Sequence, residues 1–334
     1  MGKKAIVTGG AGFIGSHMVE LLLSKGYHVI AIDDMSNGQQ DNIDLFNGNP
    51  DYEFRKIDLA KKFNDSIFKD AVYVFHMAAL ADIVPSVEQP IKYHNANVTG
   101  TIRVLEACRK YKVKKHVYAS SSSCYGIPDK YPTPENADMR PQYPYAFTKY
   151  IGELYVMFWH KLYGLPTVSL RYFNVFGTRA RTNDTYGAVF KVFLAQKLNN
   201  KPLTVVGDGT QTRDFTYVTD VAEATLIAAE SDVVGEIINI GTGKRQSVNH
   251  LTELLGGKIV HIPKRPGEPD ITQADTTKAR KLLKWKPNVS FEEGVKIMVD
   301  NIDYWKDAPL FDKASIKKAT EKWFKYLEKK SDKN

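Results

Sequence analysis

A glycine-rich turn near the start of the chain constrains the fold more than any other stretch. The sequence KAIVTGGAGFIGSHMVELLLSKG runs from an apolar segment, through Gly9, Gly12 and Gly15, into a pattern with apolar residues at every third or fourth position. Such a unit is typical of a parallel strand that turns tightly into the helix crossing back over its sheet. We therefore predict a strand and then a helix, with the turn at the carboxyl edge of a parallel sheet.

The same alternation continues through the first half of the chain. Short β-branched or apolar runs recur as HVIAID, YEFRKID, YVFHMAA, KHVYASS and TVSLRYFN, and helical patterns such as TIRVLEACRKYKV lie between them. Repeated strand and helix predicts an α/β fold, a Rossmann-type doubly wound parallel sheet with helices on both faces. Beyond residue 174 the pattern loosens into loops, which predicts a smaller mixed α/β lobe.

The glycine turn predicts a dinucleotide site. Gly9 allows the tight turn, Gly12 lets the backbone approach a pyrophosphate, and Gly15 lets the helix pack closely on the strand. Asp33 ends the second run, where a carboxylate accepts hydrogen bonds from an adenosine ribose, and Asp34 follows it with no Arg in the next several positions. Two carboxylates would repel a 2′-phosphate, so the pattern favours NAD over NADP. The other residues assigned to this site are Phe13, Ile14, Asn37 and Asp58, the last with helix or turn capping as its alternative role.

These patterns also predict how the chain is divided. Residues 1–174 are expected to form the NAD-binding Rossmann domain, which later segments rejoin. Residues 175–300 are expected to form an interleaved substrate-binding lobe, and residues 301–334 a basic helical extension. From Lys306 onward nine Lys stand against five acidic residues, so about half of the net charge of +8 lies there. We interpret this charge as a solvated helix face, because no helix-turn-helix, zinc-finger or RNA-binding signature accompanies it.

Tyr145 and Lys149 stand four residues apart in PYAFTKYIGE, at the predicted start of a helix. Residues at this spacing lie on one helical face. A phenol with an ordinary pKa of about 10 is a poor base at neutral pH, but a neighbouring cation lowers that pKa and favours the phenolate. The pair therefore predicts a tyrosine that takes a proton from an alcohol. The four serines of YASSSSCYG, at the end of the fifth run, would supply an orienting hydroxyl.

Together these motifs resemble the extended short-chain dehydrogenase/reductase superfamily, and within it the nucleotide-sugar epimerases related to UDP-galactose 4-epimerase. The resemblance covers residues 1 to about 290 and rests on TGGAGFIG, AALADIVPS, NVTGT, SSSSCYG and YAFTK. It implies an NAD-dependent enzyme that epimerises C4 of a UDP-glucose/galactose or UDP-GlcNAc/GalNAc type hexose through a transient 4-keto sugar. A C4 dehydrogenase or ketoreductase of the same fold is the alternative, and a non-catalytic NAD-binding sensor is a further one.

The resemblance also implies roles for single residues. It makes Tyr145 the base, Lys149 its partner and a ligand of the nicotinamide ribose, and Ser121 the orienting hydroxyl. Ser122 and Ser123 are alternatives, because a run of serines leaves the register open. The residues that it places against the cofactor are Ala78, Ala79 and Asn97. A 4,6-dehydratase is disfavoured, because those enzymes carry an Asp-Glu pair where this chain has serines.

On the substrate side, the resemblance implies contacts from the second half of the chain. Two arginines suit a diphosphate because each guanidinium can grip two oxygens, and a carboxylate suits ribose hydroxyls. The residues assigned to the nucleotide sugar are Asn174, Arg213, Arg265, Glu268 and Thr272, together with the three serines. Thr272 is small for a position that borders the sugar, which favours an N-acetylated hexose. UDP is the expected nucleotide, with GDP and dTDP as alternatives.

The remaining composition predicts a cytoplasmic protein. Only Cys108 and Cys124 are present, too few for a disulfide framework or for a metal site of recognised spacing. No apolar run approaches the ~20 residues of a membrane span, and the start of the chain carries no secretory pattern. We expect no bound metal, no nucleic acid and no membrane insertion. The resemblance implies a homodimer, and the apolar segment YIGELYVMFWHKLYG is the expected contact.

Overall fold

The computed structural model describes residues 2–180 and 187–328 of the chain. The strands are β1 (Lys4–Thr8), β2 (His28–Asp33), β3 (Tyr52–Lys56), β4 (Tyr73–His76), β5 (Lys115–Ser121), β6 (Thr167–Tyr172), β7 (Val175–Phe176), β8 (Leu203–Val206), β9 (Thr212–Arg213), β10 (Thr216–Tyr217), β11 (Glu236–Ile240), β12 (Gln246–Ser247) and β13 (Ile259–Ile262). The α-helices are α1 (Phe13–Ser24), α2 (Gln40–Asp44), α3 (Ile83–Glu88), α4 (Pro90–His94), α5 (Gly100–Lys110), α6 (Pro144–Tyr163), α7 (Val189–Leu198), α8 (Val218–Glu230), α9 (Val248–Leu255), α10 (Phe291–Asp300) and α11 (Lys313–Leu327).

Seven strands form one parallel sheet in the order β11-β6-β5-β4-β1-β2-β3. After β1 the chain builds outward through β2 and β3, and then returns to the other side of β1 as β4. The strand order therefore reverses between β1 and β4, and ligands of open α/β sheets bind beyond the carboxyl ends of the strands at such a point. The predicted Rossmann-type doubly wound α/β fold is confirmed.

Helices cover both faces of this sheet. Side chains alternate between the faces along a strand, so Ala5 and Val7 of β1 pack with Met18 of α1 and Val221 of α8. Ile6, between them, points to the opposite face, where the core includes side chains of α5 and α6. Burying apolar surface on both faces explains why the strands of the sheet read as nearly continuous apolar runs.

A second lobe, built from α7, β8, β9, β12, α9, β13 and α10, lies beyond the carboxyl edge of the sheet. Its strands pair as β8 with β13 and as β9 with β12, the latter antiparallel. Its core is rich in aromatic rings, including Phe190, Phe215 and Phe291. Between α7 and α9 the chain returns to the main sheet as α8 and β11, so the two units share the chain in alternate segments.

The C-terminal segment packs on the second lobe as α11. Asp312 caps the helix by accepting a hydrogen bond from the Ser315 amide at 2.8 Å, in a reciprocal capping box. Ile316, Thr320 and Trp323 are buried at helical spacing, and the Lys residues of the helix face outward. The helix is therefore amphipathic, with its apolar stripe on the body of the protein.

Candidate active site

A cavity of about 610 Å³ lies at the carboxyl edge of the sheet, where the second lobe faces it. This is a normal volume for a small-molecule site. The residues predicted from the sequence that line it are Gly9, Gly12, Phe13, Ile14, Gly15, Asp33, Asp34, Asn37, Asp58, Ala78, Ala79, Tyr145, Asn174, Arg213, Arg265 and Glu268. The fold thus brings residues from both halves of the chain to one space.

The glycine turn after β1 packs too closely on the neighbouring backbone for side chains at Gly9 and Gly15. Gly9 has a φ of +71°, a conformation that side chains rarely adopt, and a Cβ there would lie 2.8 Å from the Ala78 amide nitrogen. A Cβ on Gly15 would collide with the carbonyl oxygen of Gly9. In the described part of the chain, α1 has neither a side-chain cap nor an acidic residue in its first turn. Its first N–H groups are therefore suited to an anion.

Asp33 is held rigidly at the end of β2. Its Oδ2 accepts a hydrogen bond from the Ala11 amide at 3.1 Å, and its Oδ1 accepts one from Met35 at 2.9 Å. Burial raises the pKa of this carboxyl, while the backbone donors oppose the shift. A carboxylate has about four acceptor positions, so capacity remains for the hydroxyls of a ribose.

The carboxylates that flank Asp33 in the cavity wall are engaged locally. Asp34 accepts a hydrogen bond from the Ser36 amide at 2.8 Å. Asp58 accepts one from the Ala60 amide at 2.9 Å and pairs with Lys61 at 3.2 Å. Asp58 therefore shows the capping contact that was its alternative role, while also lining the cavity.

Tyr145 stands in the first turn of α6, where Pro144 begins the helix and Gly164, in the left-handed conformation, ends it. Burial raises the pKa of its phenol to about 12, and hydrogen bonds with Ser121 and Ser123 lower it. The two serine hydroxyls lie 2.8 Å apart. Both Ser121 and Ser123 therefore act on Tyr145, and Ser122 lies between them in a short 3-10 turn.

Lys149 lies one turn further along α6, with its Nζ 4.2 Å from the centroid of the Tyr118 ring. Burial lowers the pKa of its ammonium to about 8, and the charge of Glu153 opposes that shift. The sequence predicts that Lys149 lowers the pKa of Tyr145, but in the structure burial is the largest effect and raises that pKa. The physical reason is that the desolvation that encloses the pair penalises the phenolate and the ammonium alike.

Asn97 lies behind the cavity wall rather than in it. Its Nδ2 donates to the Leu80 carbonyl and to Thr148 Oγ1, both at 3.0 Å, and its Oδ1 accepts from the Leu80 amide at 2.8 Å. Both N–H groups of the amide are thus used. Asn97 thus ties the loop that carries Ala78 and Ala79 to α6, and its direct contact with the cofactor stays a prediction.

The second lobe contributes a cluster of charged side chains. Arg213 Nη2 donates to Glu268 Oε1 at 2.9 Å, and Arg265 Nη1 lies 3.7 Å from Glu268 Oε2. All three side chains line the cavity and are mostly buried. One carboxylate therefore holds two guanidinium groups, and the cluster keeps an excess positive charge that suits a phosphate group.

Asn174 and Thr272 act as a pair. Asn174 has a φ of +31°, and its Nδ2 donates to Thr272 Oγ1 at 2.7 Å. The same Thr272 oxygen accepts a hydrogen bond from the Asp214 amide at 3.1 Å. Asn174 lines the cavity, but among the described residues Thr272 does not. Thr272 thus supports Asn174 through this hydrogen bond, and its contact with the sugar stays a prediction.

Residues 6–298 match the family model described as GDP-mannose 4,6 dehydratase. The chain belongs to this family. A UDP-glucose 4-epimerase from Mycolicibacterium smegmatis is 35% identical to it, over 89% of this chain and 97% of that protein. The predicted membership of the extended short-chain dehydrogenase/reductase superfamily is confirmed.

Solved structures of similar proteins extend the comparison. A UDP-N-acetylglucosamine 4-epimerase from Methanobrevibacter ruminantium, in complex with UDP-N-acetylmuramic acid, is 36% identical with a TM-score of 0.84, covering 90% of this chain and 99% of that one. A UDP-glucuronic acid 4-epimerase from Bacillus cereus, in complex with UDP-glucuronic acid and NAD, is 35% identical with a TM-score of 0.84 and the same coverage. These relatives share a fold and differ in the sugar they are named for.

Sequence reasoning missed three features of the site in this member of the GDP-mannose 4,6 dehydratase family. Tyr143 stacks on Tyr145, with ring centroids 6.4 Å apart. Arg171 and Glu153 form a fully buried ion pair at 2.6 Å behind Lys149. Trp323 of α11 lines the cavity. The spacing of Lys149 and Glu153 was a usable signal for the second feature, but no local pattern connects Trp323 with the motifs far upstream.

Two further kinds of feature are absent from the described residues. Among residues 2–180 and 187–328, no helix is long and apolar enough to cross a membrane. In the same residues, no group of three or more His, Cys, Asp or Glu side chains could hold a metal ion. Cys108 and Cys124 are both buried free thiols.

Proposed function

We propose that this protein epimerises C4 of a UDP-hexose with NAD as its resident cofactor. The observation that carries the proposal is one cavity that joins the glycine turn and Asp33 to Tyr145 and to the arginines of the second lobe. The relatives named above are nucleotide-sugar 4-epimerases, and one of them is solved with NAD. The enzyme class predicted from the sequence agrees with these relatives.

The residues around the glycine turn fit the cofactor. The N–H groups at the start of α1 would hold its pyrophosphate, and Asp33 would accept hydrogen bonds from its adenosine ribose. Bound at these residues, NAD would supply reversible hydride transfer at C4 and, in its oxidised state, a positive charge in the site. The loop that Asn97 holds carries Ala78 and Ala79 into the cavity wall, where they would line the cofactor.

Tyr145 is the group that exchanges the proton of the C4 hydroxyl. Its phenolate takes that proton directly or through Ser121, and gives it back when the 4-keto sugar is reduced. Because burial sets its pKa at about 12, Tyr145 needs a further positive charge beside it to ionise near neutral pH. Hydrogen bonds from Ser121 and Ser123 also stabilise the phenolate and so lower the pKa of Tyr145. Lys149, buried one turn away, would bind the nicotinamide ribose.

Arg213 and Arg265 would hold the diphosphate of the nucleotide sugar. Glu268 keeps the two guanidinium groups together, and a diphosphate brings enough negative charge to bind the pair. Contact of Glu268 with ribose hydroxyls stays a prediction. We propose a hexose of the UDP-glucose or UDP-N-acetylglucosamine type, in keeping with relatives named for glucose and for N-acetylglucosamine.

We also propose that the protein forms a homodimer through α6, and that it works in the cytoplasm. Phe147, Leu154, Phe158 and Leu162 lie on one side of this helix and are 52%, 49%, 50% and 54% exposed. A continuous exposed stripe of large apolar side chains marks an interaction surface, and a second copy presents the same stripe. The free thiols of Cys108 and Cys124 suit a reducing compartment.

A panel of sugar nucleotides tests the proposed function. Purified protein, with its bound cofactor released from a portion and assayed, is mixed with UDP-glucose, UDP-N-acetylglucosamine or UDP-glucuronate, and the products are identified by NMR. We expect the 4-epimer of at least one sugar without added NAD. A ketone formed with stoichiometric reduced cofactor would point to the dehydrogenase instead. No product from any sugar, with cofactor verified present, would overturn the proposal.

The role of Tyr145 is tested in the same assay. Tyr145→Phe should lower turnover by at least about 100-fold, because it removes the proton-transfer group, while the protein keeps its cofactor. Tyr150→Phe removes a hydroxyl from the same helix and is the matched control. An unchanged rate in Tyr145→Phe would assign the base to another residue.

A further inference from the structure

Helix α11 lies outside the part of the chain that matches the family model, which ends at residue 298. It nevertheless contributes a side chain to the cavity. Trp323 is 3% exposed and lines the cavity together with Arg213, Arg265 and Glu268. A residue of the C-terminal extension therefore lies in the wall of the proposed substrate site.

Trp323 holds the 265–266 segment in two ways. The Arg265 guanidinium lies over its ring, with Cζ 5.4 Å from the ring centroid, which is within the range of a cation–π interaction. The indole N–H donates a hydrogen bond to the carbonyl oxygen of Pro266 at 2.8 Å. One side chain thus fixes both the charged group and the backbone next to it.

α11 is itself anchored to both sides of the cavity. Ile316 belongs to the aromatic core of the second lobe, and the capping box fixes the start of the helix. Near its other end, Lys322 pairs with Glu88 of α3 at 3.1 Å. α3 follows the loop that carries Ala78 and Ala79, so α11 connects the substrate side with the cofactor side. Lys322 is mostly exposed, so this ion pair is weak and the buried Trp323 is the stronger anchor.

We propose that Trp323 is a positioning residue for the diphosphate of the nucleotide sugar. Its ring and its N–H hold Arg265 in the orientation in which the guanidinium faces the cavity. Ordering a long side chain costs free energy when a ligand binds, and an arginine that is already held avoids part of that cost. The identity of the ligand rests on the function proposed above, but the positioning contact does not involve the reacting atoms.

Binding of a nucleoside diphosphate by calorimetry tests this inference without relying on turnover. UDP, GDP and dTDP are titrated into the full-length protein carrying its cofactor. Trp323→Ala should weaken binding of the preferred nucleotide by about tenfold, because Arg265 and the neighbouring backbone lose the contacts that hold them and must be ordered when the nucleotide binds. In steady state, KM should rise with little change in kcat, and the NAD content should stay as in the wild type.

Two further variants keep the test decisive. Tyr326→Ala, on the same helix but 62% exposed, is the matched control and should bind nucleotide as the wild type does. Trp323→Phe keeps a ring under Arg265 but removes the N–H, and it should weaken binding about threefold or more. It decides the matter if Trp323→Ala does not fold.

Folded Trp323 variants that bind the nucleotide as tightly as the wild type would overturn the inference while leaving the proposed function intact. A wild-type protein that binds none of the three nucleotides would overturn both. An equal loss of kcat and NAD content in Trp323→Phe would also contradict a positioning role, because it would show general damage to the fold.

Discussion

The ammonium of Lys149 lies 4.2 Å from the centroid of the buried Tyr118 ring, deep in the wall behind Tyr145. A buried cation is unfavourable unless its surroundings compensate it, and here the aromatic face and the charge of Glu153 compensate only in part. Burial lowers the pKa of Lys149 to about 8, so the group is still mostly protonated at neutral pH. The site therefore keeps a buried positive charge that is only partly compensated, next to the tyrosine that the proposed proton transfer uses.

Replacing Lys149 by Met should raise the free energy of unfolding and, in the same variant, lower the turnover rate. The folded pKa of about 8 lies below the ordinary 10.5, so below pH 8 both states are protonated and the cost of burying the charge is fully present. At a pH between the folded and the unfolded pKa, the folded protein has released a proton from Lys149 that the unfolded chain keeps. The free energy of unfolding of the wild type therefore rises with pH in this range. The variant should thus exceed the wild type in free energy of unfolding near neutral pH, with a difference that shrinks toward pH 10.5.

Urea denaturation near neutral pH and again near the upper end of that window measures this difference. Turnover of Lys149→Met should fall by about 100-fold or more. A variant that is less stable than the wild type near neutral pH would show that Lys149 is a net stabilising residue, contrary to the account.

Asp33 should control the choice of cofactor. Asp33→Asn removes the charge that repels a 2′-phosphate and one strong acceptor for the ribose, so NAD should bind about tenfold or more weakly and the preference over NADP should narrow. Cofactor content of the purified protein and titration with both dinucleotides are the measurements. Asp41→Asn removes a nearby exposed charge and serves as the control. If the Asp33→Asn variant keeps its full NAD content and still does not bind NADP, Asp33 does not control the choice of cofactor.

Replacing only one member of the buried ion pair of Glu153 and Arg171 should destabilise the protein. Arg171 also donates to the Tyr125 hydroxyl at 2.8 Å, which links α6 and β6 to the end of the serine segment. Arg171→Met leaves a buried carboxylate without its partner and should lower the free energy of unfolding by about 3–5 kcal/mol. Adding Glu153→Leu should recover much of that loss. Chemical denaturation of the wild type, the two single variants and the double variant measures these free energies of unfolding. An Arg171→Met variant as stable as the wild type would contradict the prediction.

The apolar stripe on α6 should hold two copies together. Leu154→Asp combined with Phe158→Asp places two charges in the proposed interface. The double variant should be a monomer in light scattering at micromolar concentration, where we expect the wild type to be a dimer. Tyr326→Asp, which also charges an exposed aromatic position, should leave the dimer intact. A wild-type monomer, or a dimer that the double variant does not disturb, would rule out this surface.

Local patterns were enough to predict the sheet and much of the site. The glycine spacing before α1, the Asp at the end of β2, and the spacing of Tyr145 and Lys149 are each set by neighbours within one or two elements, so they can be read from the chain. The start of α6 at Pro144 and its end at Gly164 follow from the same local chemistry.

Other features depend on contacts that no local pattern reports. The direction of the Asn97 amide is set by its hydrogen bonds with Leu80 and Thr148. Thr272 accepts a hydrogen bond from Asn174, which lies 98 positions away in the chain. Trp323 reaches Pro266 across 57 positions. The pKa of Tyr145 depends on how deeply the finished fold buries it, and the residue types alone do not indicate that burial raises this pKa.

The fate of deuterium at C4 shows whether the hydrogen that leaves this carbon is the one that returns to it. A UDP-hexose that the panel shows to be turned over is prepared with deuterium at C4 and incubated with the protein, without added NAD, and the product is examined by NMR. The proposed epimerisation requires the label to stay at C4 in the 4-epimer, because the same hydrogen leaves and returns within one site closed to exchange with water. Loss of the label to solvent, or a labelled cofactor accumulating beside a released ketone, would contradict it.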